Sequence, residues 1–183
     1  MAWTPLESLV HVLKNAYSGE LAAALAYEGH RNSVRSETEK AEIELIRLQE
    51  LHHRERVGEF LTRLGAAPCP RRERKFRRIG KAIAFLCHVG GWFLPMYGAG
   101  KLESTNIVEY ENAARYALAA GHPELVDDLL QMAEVEWDHE LYFRQKVANH
   151  WLCKLFRLWP VPPPRAQIRH GYANLLLSGW KAQ

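Results

Sequence analysis

Four segments of this 183-residue chain are long runs of strong helix formers, each closed by capping or breaking residues that leave little regular structure open to it except an α-helix. The first opens at Thr4, with Pro5 at the first helical position and Glu7 completing a T-x-x-E capping box. It runs through "ELAAALAYEGH" to about Asn32. Ser36 with Glu39 makes a second box before "AEIELIRLQELHHRERVGEFLTRLG", where apolar residues recur at three and four and Gly65 is the stop. A third run, "ESTNIVEYENAARYALAAGHP", ends at Gly121-His122-Pro123. A fourth extends from about Pro123 through "ELVDDLLQMAEVEWDHELYFRQKVANHWLCKLF". No segment alternates with period two between hairpin signals, so the expected fold is all-α, a four-helix bundle of two antiparallel helical hairpins. "PVPPPR" then breaks the pattern, and "IRHGYANLLLSGW" is expected to form a short closing helix.

One domain is expected over 1–183, with a core over about 4–150, a helical crossover connector over about 66–100 and a C-terminal extension over 160–183. A hydrophobic content of 48% with 25% charged residues is that of an ordinary soluble domain, and the net charge of +3 demands no nucleic-acid partner. Cys69, Cys87 and Cys153 form no C-x-x-C pair, so neither structural zinc nor a redox disulfide is expected, and they read as reduced thiols. "MAWTPLESLV" lacks the basic and apolar regions of a leader and reads as a helix start, so a cytoplasmic protein is expected.

The chemistry is carried by glutamate and histidine. "ELHH" and "EWDH" each place a glutamate three residues before a histidine, Glu50 with His53 and Glu136 with His139. An i, i+3 pair shares one helix face and can aim a carboxylate and an imidazole at one ion. With 18 glutamates and 9 histidines in the chain, roughly one such pair arises by chance, so the pairs alone carry little. The spacing around the turns carries more. Glu20 precedes the turn near Asn32–Ser36 by about as many residues as Glu50 follows it, which brings both to one height. Glu109, twelve residues before Gly121, and Glu136, thirteen after Pro123, repeat the arrangement. Glu111 competes with Glu109, but two residues rotate a helix by about 200°, so only one can face inward. Glu109 shares a stripe with Ala113, Tyr116, Ala117 and Ala120, whereas Glu111 lies one turn from Arg115 as in an exposed ion pair. Glu20, flanked by Ala23, Ala24 and Tyr27, is preferred over Glu28 on the same grounds. The expected ligands are therefore Glu20, Glu50, His53, Glu109, Glu136 and His139. This oxygen-rich set, with only two imidazoles and no thiolate, favours two ions of iron or manganese per chain over structural zinc.

These segments resemble the ferritin-like carboxylate proteins, and among them most closely the demethoxyubiquinone hydroxylases of ubiquinone biosynthesis. "SGELAAALAY" around Glu20, the 30-residue interval from Glu20 to Glu50, "IVEYENAARY" around Glu109 and the connector "GGWFLPMYGAGK" carry the likeness over roughly residues 10–145. The resemblance implies that Glu50 and Glu136 bridge the ions, that Glu20 with His53 completes one and Glu109 with His139 the other, and that Tyr116 is a tyrosine near the metals with a catalytic role. It implies a di-iron monooxygenase that activates O₂ to hydroxylate a demethoxyubiquinone-type prenylated quinone ring. A ferritin-like metal-binding or storage protein, or a di-iron oxidase or peroxidase with another substrate, is the alternative. The chain departs from the family at Tyr110, where a second glutamate is common, at Arg115, where histidine is common, and in a shorter connection between the last two core helices.

Between residues 71 and 81 seven basic side chains stand against Glu73, a local charge of +6 in a chain whose net charge is +3. An apolar stretch with Phe85, Trp92, Phe93 and Tyr97 follows, too short and too broken by His88, Gly90, Gly91 and Pro95 to span a bilayer. Residues 71–97 thus fit contact with an anionic membrane surface, peripheral on the inner face of the cell membrane, where a hydrophobic quinone-like substrate is found. A solvated loop followed by a buried crossover helix fits the same residues. A single charge run without a recognisable module makes nucleic acid an unexpected partner, and a homodimer is compatible with the chain.

Overall fold

The computed structural model describes residues 3–177, and the first helix opens where the sequence caps it. The Glu7 carboxylate accepts from the Thr4 backbone N–H at 2.8 Å and the Glu7 N–H donates to the Thr4 hydroxyl at 3.2 Å, so both halves of the capping box form. Helix α1 then covers Pro5–Ser33 and α2 covers Glu37–Arg63, with the Ser36 hydroxyl capping the Glu39 N–H at 3.4 Å. At the end of α2, Gly65 takes φ 66° and Ala66 N–H reaches back to Leu61 O at 2.8 Å, a Schellman stop that a side chain would strain. Helices α3 (Pro70–Val89), α4 (Phe93–Ala119), α5 (Val126–Val147) and α6 (Arg165–Leu177) follow. One 3₁₀ turn lies at Pro123–Leu125 and another at Trp151–Lys154. No strand occurs among the described residues, as the absence of period-two patterning predicts.

Three boundaries differ from the sequence expectation. The third of the long helices begins at Phe93, ten residues before Glu103, because Pro95 lies in the first turn, where its missing N–H is no loss. The basic run and the first part of the apolar stretch after it form the single helix α3, since no proline stands between Pro70 and Gly90, while Phe93 and Tyr97 belong to α4. The fourth helix stops at Val147 and not near Phe156. His150 turns extended there, and its imidazole accepts from the Leu152 N–H at 3.3 Å to cap a separate 3₁₀ turn. Of the expected closing helix, 168–177 are helical, and the rest of it, like the end of the 160–183 extension, lies outside the described residues.

The chain divides into two compact units, one spanning Val10–Gly98 and the other formed by the residues on either side of it. In the first unit α1 and α3 meet backbone to backbone. A Cβ on Gly29 would lie 2.4 Å from the Ala84 Cα, and one on Gly80 would lie 2.8 Å from the Ala22 Cα. Helix α2 is tied in by Arg54, whose guanidinium lies 3.7 Å over the Tyr17 ring of α1 and donates to the Glu73 carboxylate of α3. In the second unit Arg169 of α6 pairs with Asp127 and Glu134 of α5, and Trp159 lies against Gly100 and Phe143. No helix among the described residues is long and apolar enough to cross a membrane.

Buried residues recur at intervals of three or four along the helices of both units. In α2 they include Ile43, Ile46, Glu50, His53, Val57 and Phe60, and in α5 Leu129, Met132, Glu136, His139, Phe143 and Val147. This spacing keeps one stripe of each helix inward, and the glutamates and histidines hold positions on it that isoleucine or leucine would otherwise take.

His30, buried near the end of α1, has its imidazole pushed down to about 4 from 6.5 by burial, with the Glu39 charge opposing. The folded chain therefore refuses a proton that the unfolded chain accepts below about pH 6.5, and stability falls as pH drops from there toward 4. The expected loss from this group is up to about 3 kcal/mol. Urea unfolding across that range should show a shallower acid dependence in His30→Phe than in the native chain. Identical slopes would remove His30 as the cause.

Candidate metal centre

Each unit assembles its own buried triad of two carboxylates and one imidazole. In the first, α1 supplies Glu20 and α2 supplies Glu50 and His53, at 4%, 0% and 3% exposure. Their ligand atoms all lie within 4.8 Å of one another. The local sequence explains the convergence: Leu13, Ala16, Glu20, Ala23 and Tyr27 follow the three-and-four seam of α1, and the alanines beside Glu20 leave room at its level. Glu28, the rival candidate, is exposed.

In the second unit α5 supplies Glu136 and His139, with His139 Nδ1 3.7 Å from Glu136 Oε2, and α4 supplies Glu103. Glu103 is fully buried and its carboxylate lies within the same 4.8 Å reach. Asn106, one turn on, donates from its side-chain amide to Glu103 at 2.7 Å and to Glu136 at 3.4 Å, which orients both carboxylates.

Of the six ligands expected from sequence, five fall in these triads. Glu109 does not: it is half-buried, and Glu103 is the α4 carboxylate that joins Glu136 and His139. The buried seam of α4 runs Met96, Gly100, Glu103, Ile107, Tyr110, Ala114 and Ala117, and Glu109 lies about 120° off it. Tyr116 is likewise on the outer side, 36% exposed, whereas Tyr110 on the seam is 1% exposed. Tyr110 follows Glu103 by seven residues, the interval at which Tyr116 follows Glu109. Glu111 is half-buried, its carboxyl held above the usual range by burial with Arg115 opposing.

A signal for Glu103 exists in the sequence. Counted from the single pivot Gly121, Glu103 and His139 each lie eighteen residues away, and Asn106 and Glu136 each lie fifteen away. A count from both Gly121 and Pro123 shifts the register toward Glu109.

Two carboxylates held this close and away from water repel, and a cation between them offsets a cost of several kcal/mol. Two hard oxygen donors with one imidazole suit iron or manganese, and Cys69, Cys87 and Cys153, all free thiols, add nothing to either triad. The donor set therefore fits a transition-metal ion. Comparison with models of known protein families, with curated proteins and with solved structures finds no match to this chain.

Proposed function

We propose that this chain is a two-metal oxidoreductase of the ferritin-like kind that activates O₂ and hydroxylates a hydrophobic, prenylated quinone-type ring. The observation that carries the reading is the doubled triad: two helices bearing E-x-x-H each gather one further glutamate from another helix into a buried Glu₂His set. The resemblance of residues 10–145 to the demethoxyubiquinone hydroxylases supports hydroxylation over storage or buffering. The four seam-bearing helices α1, α2, α4 and α5 correspond in this reading to the ferritin-like bundle.

Glu20, Glu50 and His53 would hold one ion, and Glu103, Glu136 and His139 the other. Bound there, iron supplies the O₂ reduction chemistry that side chains alone do not carry. The chain's part is to fix ligand geometry and keep water out. Asn106 holds two carboxylates in one orientation, and the buried seam residues on either side of each triad exclude solvent.

The test is elemental analysis of the chain after anaerobic iron loading, with gel filtration to fix the assembly, followed by a demethoxyquinone hydroxylation assay. Two irons per chain in a monomer or small oligomer, with product formed on admitting O₂, is the expected result. Iron uptake far beyond two per chain in a closed shell would assign storage instead, and no tight metal with all six ligands intact would end the oxidoreductase reading.

A further inference from the structure

Two helices of the first unit each expose a row of apolar side chains beside charges of opposite sign. On α2, Leu45, Leu48 and Leu51 stand on the side away from Glu50 and His53, and Glu55 and Glu59 follow them on that side. At 100° per residue all five lie within about 60° of one line along the helix. Leu45 is 49% exposed and Leu48 is 50% exposed. Glu59 shares its charge with Arg56, three residues back, and Glu55 is exposed.

On α3, Arg71, Lys75 and Arg78 precede Phe85, Leu86 and Val89, and these six lie within about 50° of one line. Phe85 is 65% exposed and Leu86 is 56% exposed. Arg71, Arg74, Lys75 and Arg78 line an open recess of about 560 Å³, and none of the four has a carboxylate partner among the described residues.

The two rows are ordered in opposite senses. Along the chain α2 passes from leucine to glutamate, and α3 passes from cation to apolar side chain. The middle of the α3 cations lies about eleven residues before Phe85 and Leu86, and the middle of Glu55 and Glu59 lies about as far after Leu45 and Leu48, roughly 16 Å in each case. Laid antiparallel, the two faces therefore match charge to opposite charge and apolar to apolar in one register. Solubility accounts for charged helix faces but not for half-exposed leucine and phenylalanine in rows beside them. A lipid surface or a soluble polyanion would engage the cations of α3 and leave the leucines of α2 in water. A second copy of the chain covers both faces, with an apolar patch flanked by complementary charge.

We infer that the chain self-associates, α2 of one copy packing antiparallel on α3 of another, with Glu55 and Glu59 entering the Arg71–Arg78 recess and Leu45 and Leu48 meeting Phe85 and Leu86. A two-fold axis makes this contact twice, so both faces of each copy are covered and the assembly closes at two chains. No metal ligand takes part, and the contact is expected whether or not the triads bind metal.

The test is sedimentation equilibrium of the full chain over a range of concentrations, beside two charge-reversed chains. One carries Glu55→Arg and Glu59→Arg, the other Arg71→Glu, Lys75→Glu and Arg78→Glu. The native chain is expected as a dimer, and each reversed chain alone should bind itself at least about tenfold more weakly. Mixed in equal amounts, the two reversed chains should pair again, because the basic α2 of one then meets the acidic α3 of the other while the second contact keeps its native charges. Leu48→Ser should weaken the dimer in high salt as well as low, since the apolar contact is not screened. All the substituted side chains are exposed, so circular dichroism should show unchanged helix content in every variant. A native chain that stays monomeric, or reversed chains that associate like the native one or fail to pair when mixed, would overturn the inference. A monomer that floats with anionic phospholipid vesicles would overturn it in favour of a lipid surface.

Discussion

Glu103→Ala is expected to lose one of two bound irons and Glu109→Ala to keep both. The first substitution removes one of the two carboxylates of the Glu103, Glu136 and His139 triad. The second alters a half-buried residue off the seam. Affinity at the altered triad should fall by more than about a hundredfold, beyond the 10–100-fold typical of losing a supporting hydrogen bond, which is the effect expected for Asn106→Ala. Glu50→Ala and His139→Ala should behave like Glu103→Ala, and Glu111→Ala should leave binding nearly unchanged. A misfolded variant is told apart by sign. Without metal, removing one of two neighbouring buried carboxylates relieves repulsion, so the melting temperature of the metal-free Glu103→Ala chain should not drop. What it loses is the rise that iron gives the native chain. Loss of iron in Glu109→Ala with retention in Glu103→Ala would reverse the assignment of the α4 ligand.

The second large effect is structural. Gly80→Val should cost more than about 3 kcal/mol, a large part of the 5–15 kcal/mol that holds a typical domain folded. A side chain there meets the Ala22 carbonyl oxygen at 2.7 Å and its Cα at 2.8 Å, and neither can swing aside as a flexible side chain would. Either α3 lifts off α1 or both helices bend. Gly29→Val meets the same obstacle at Ala84. Gly19→Ala is the control, because a Cβ there meets nothing within 4 Å and removing a helical glycine should stabilise by up to about 1 kcal/mol. Denaturant midpoints measure all three. A Gly80→Val chain as stable as the native one would mean that α1 and α3 do not cross where the structure places them.

The extent to which the sequence foretells this depends on the range of the cause. The helix starts at Thr4 and Ser36 and the stops at Gly65 and Gly121 are set by hydrogen bonds within a few residues, and they form where the sequence puts them. Glu20, Glu50, His53, Glu136 and His139 were legible because each shares a three-and-four seam with obvious apolar neighbours. Glu103 is not singled out by local pattern, because the choice among glutamates on α4 depends on the register of two helices across a turn. Two residues of error in the pivot rotate the chosen face by about 200°. The single helix from Pro70 to Val89 was obscured by composition: an abrupt change from arginine to phenylalanine looks like a boundary, while backbone continuity depends only on the lack of an interior proline. The close approach of α1 and α3 was hidden for another reason, since Gly29 and Gly80 signal nothing until their partners Ala84 and Ala22 are known.

Trp159 lies far along the chain from the second triad, yet it governs the medium in which that triad sits. Its indole N–H donates to Glu140 at 2.5 Å, its ring lies where a Cβ on Gly100 would need to be, and Arg144 both stacks on it and pairs with Glu140. Gly100 is three residues from Glu103, and Glu140 adjoins His139. A chain cut short before Trp159 would keep every ligand and still let water reach Glu140, raising the local dielectric and weakening every charge interaction around His139. The segment after α5 thus acts as electrical insulation, and the electrostatics of the second triad are set partly by residues that lie on neither of the helices supplying its ligands.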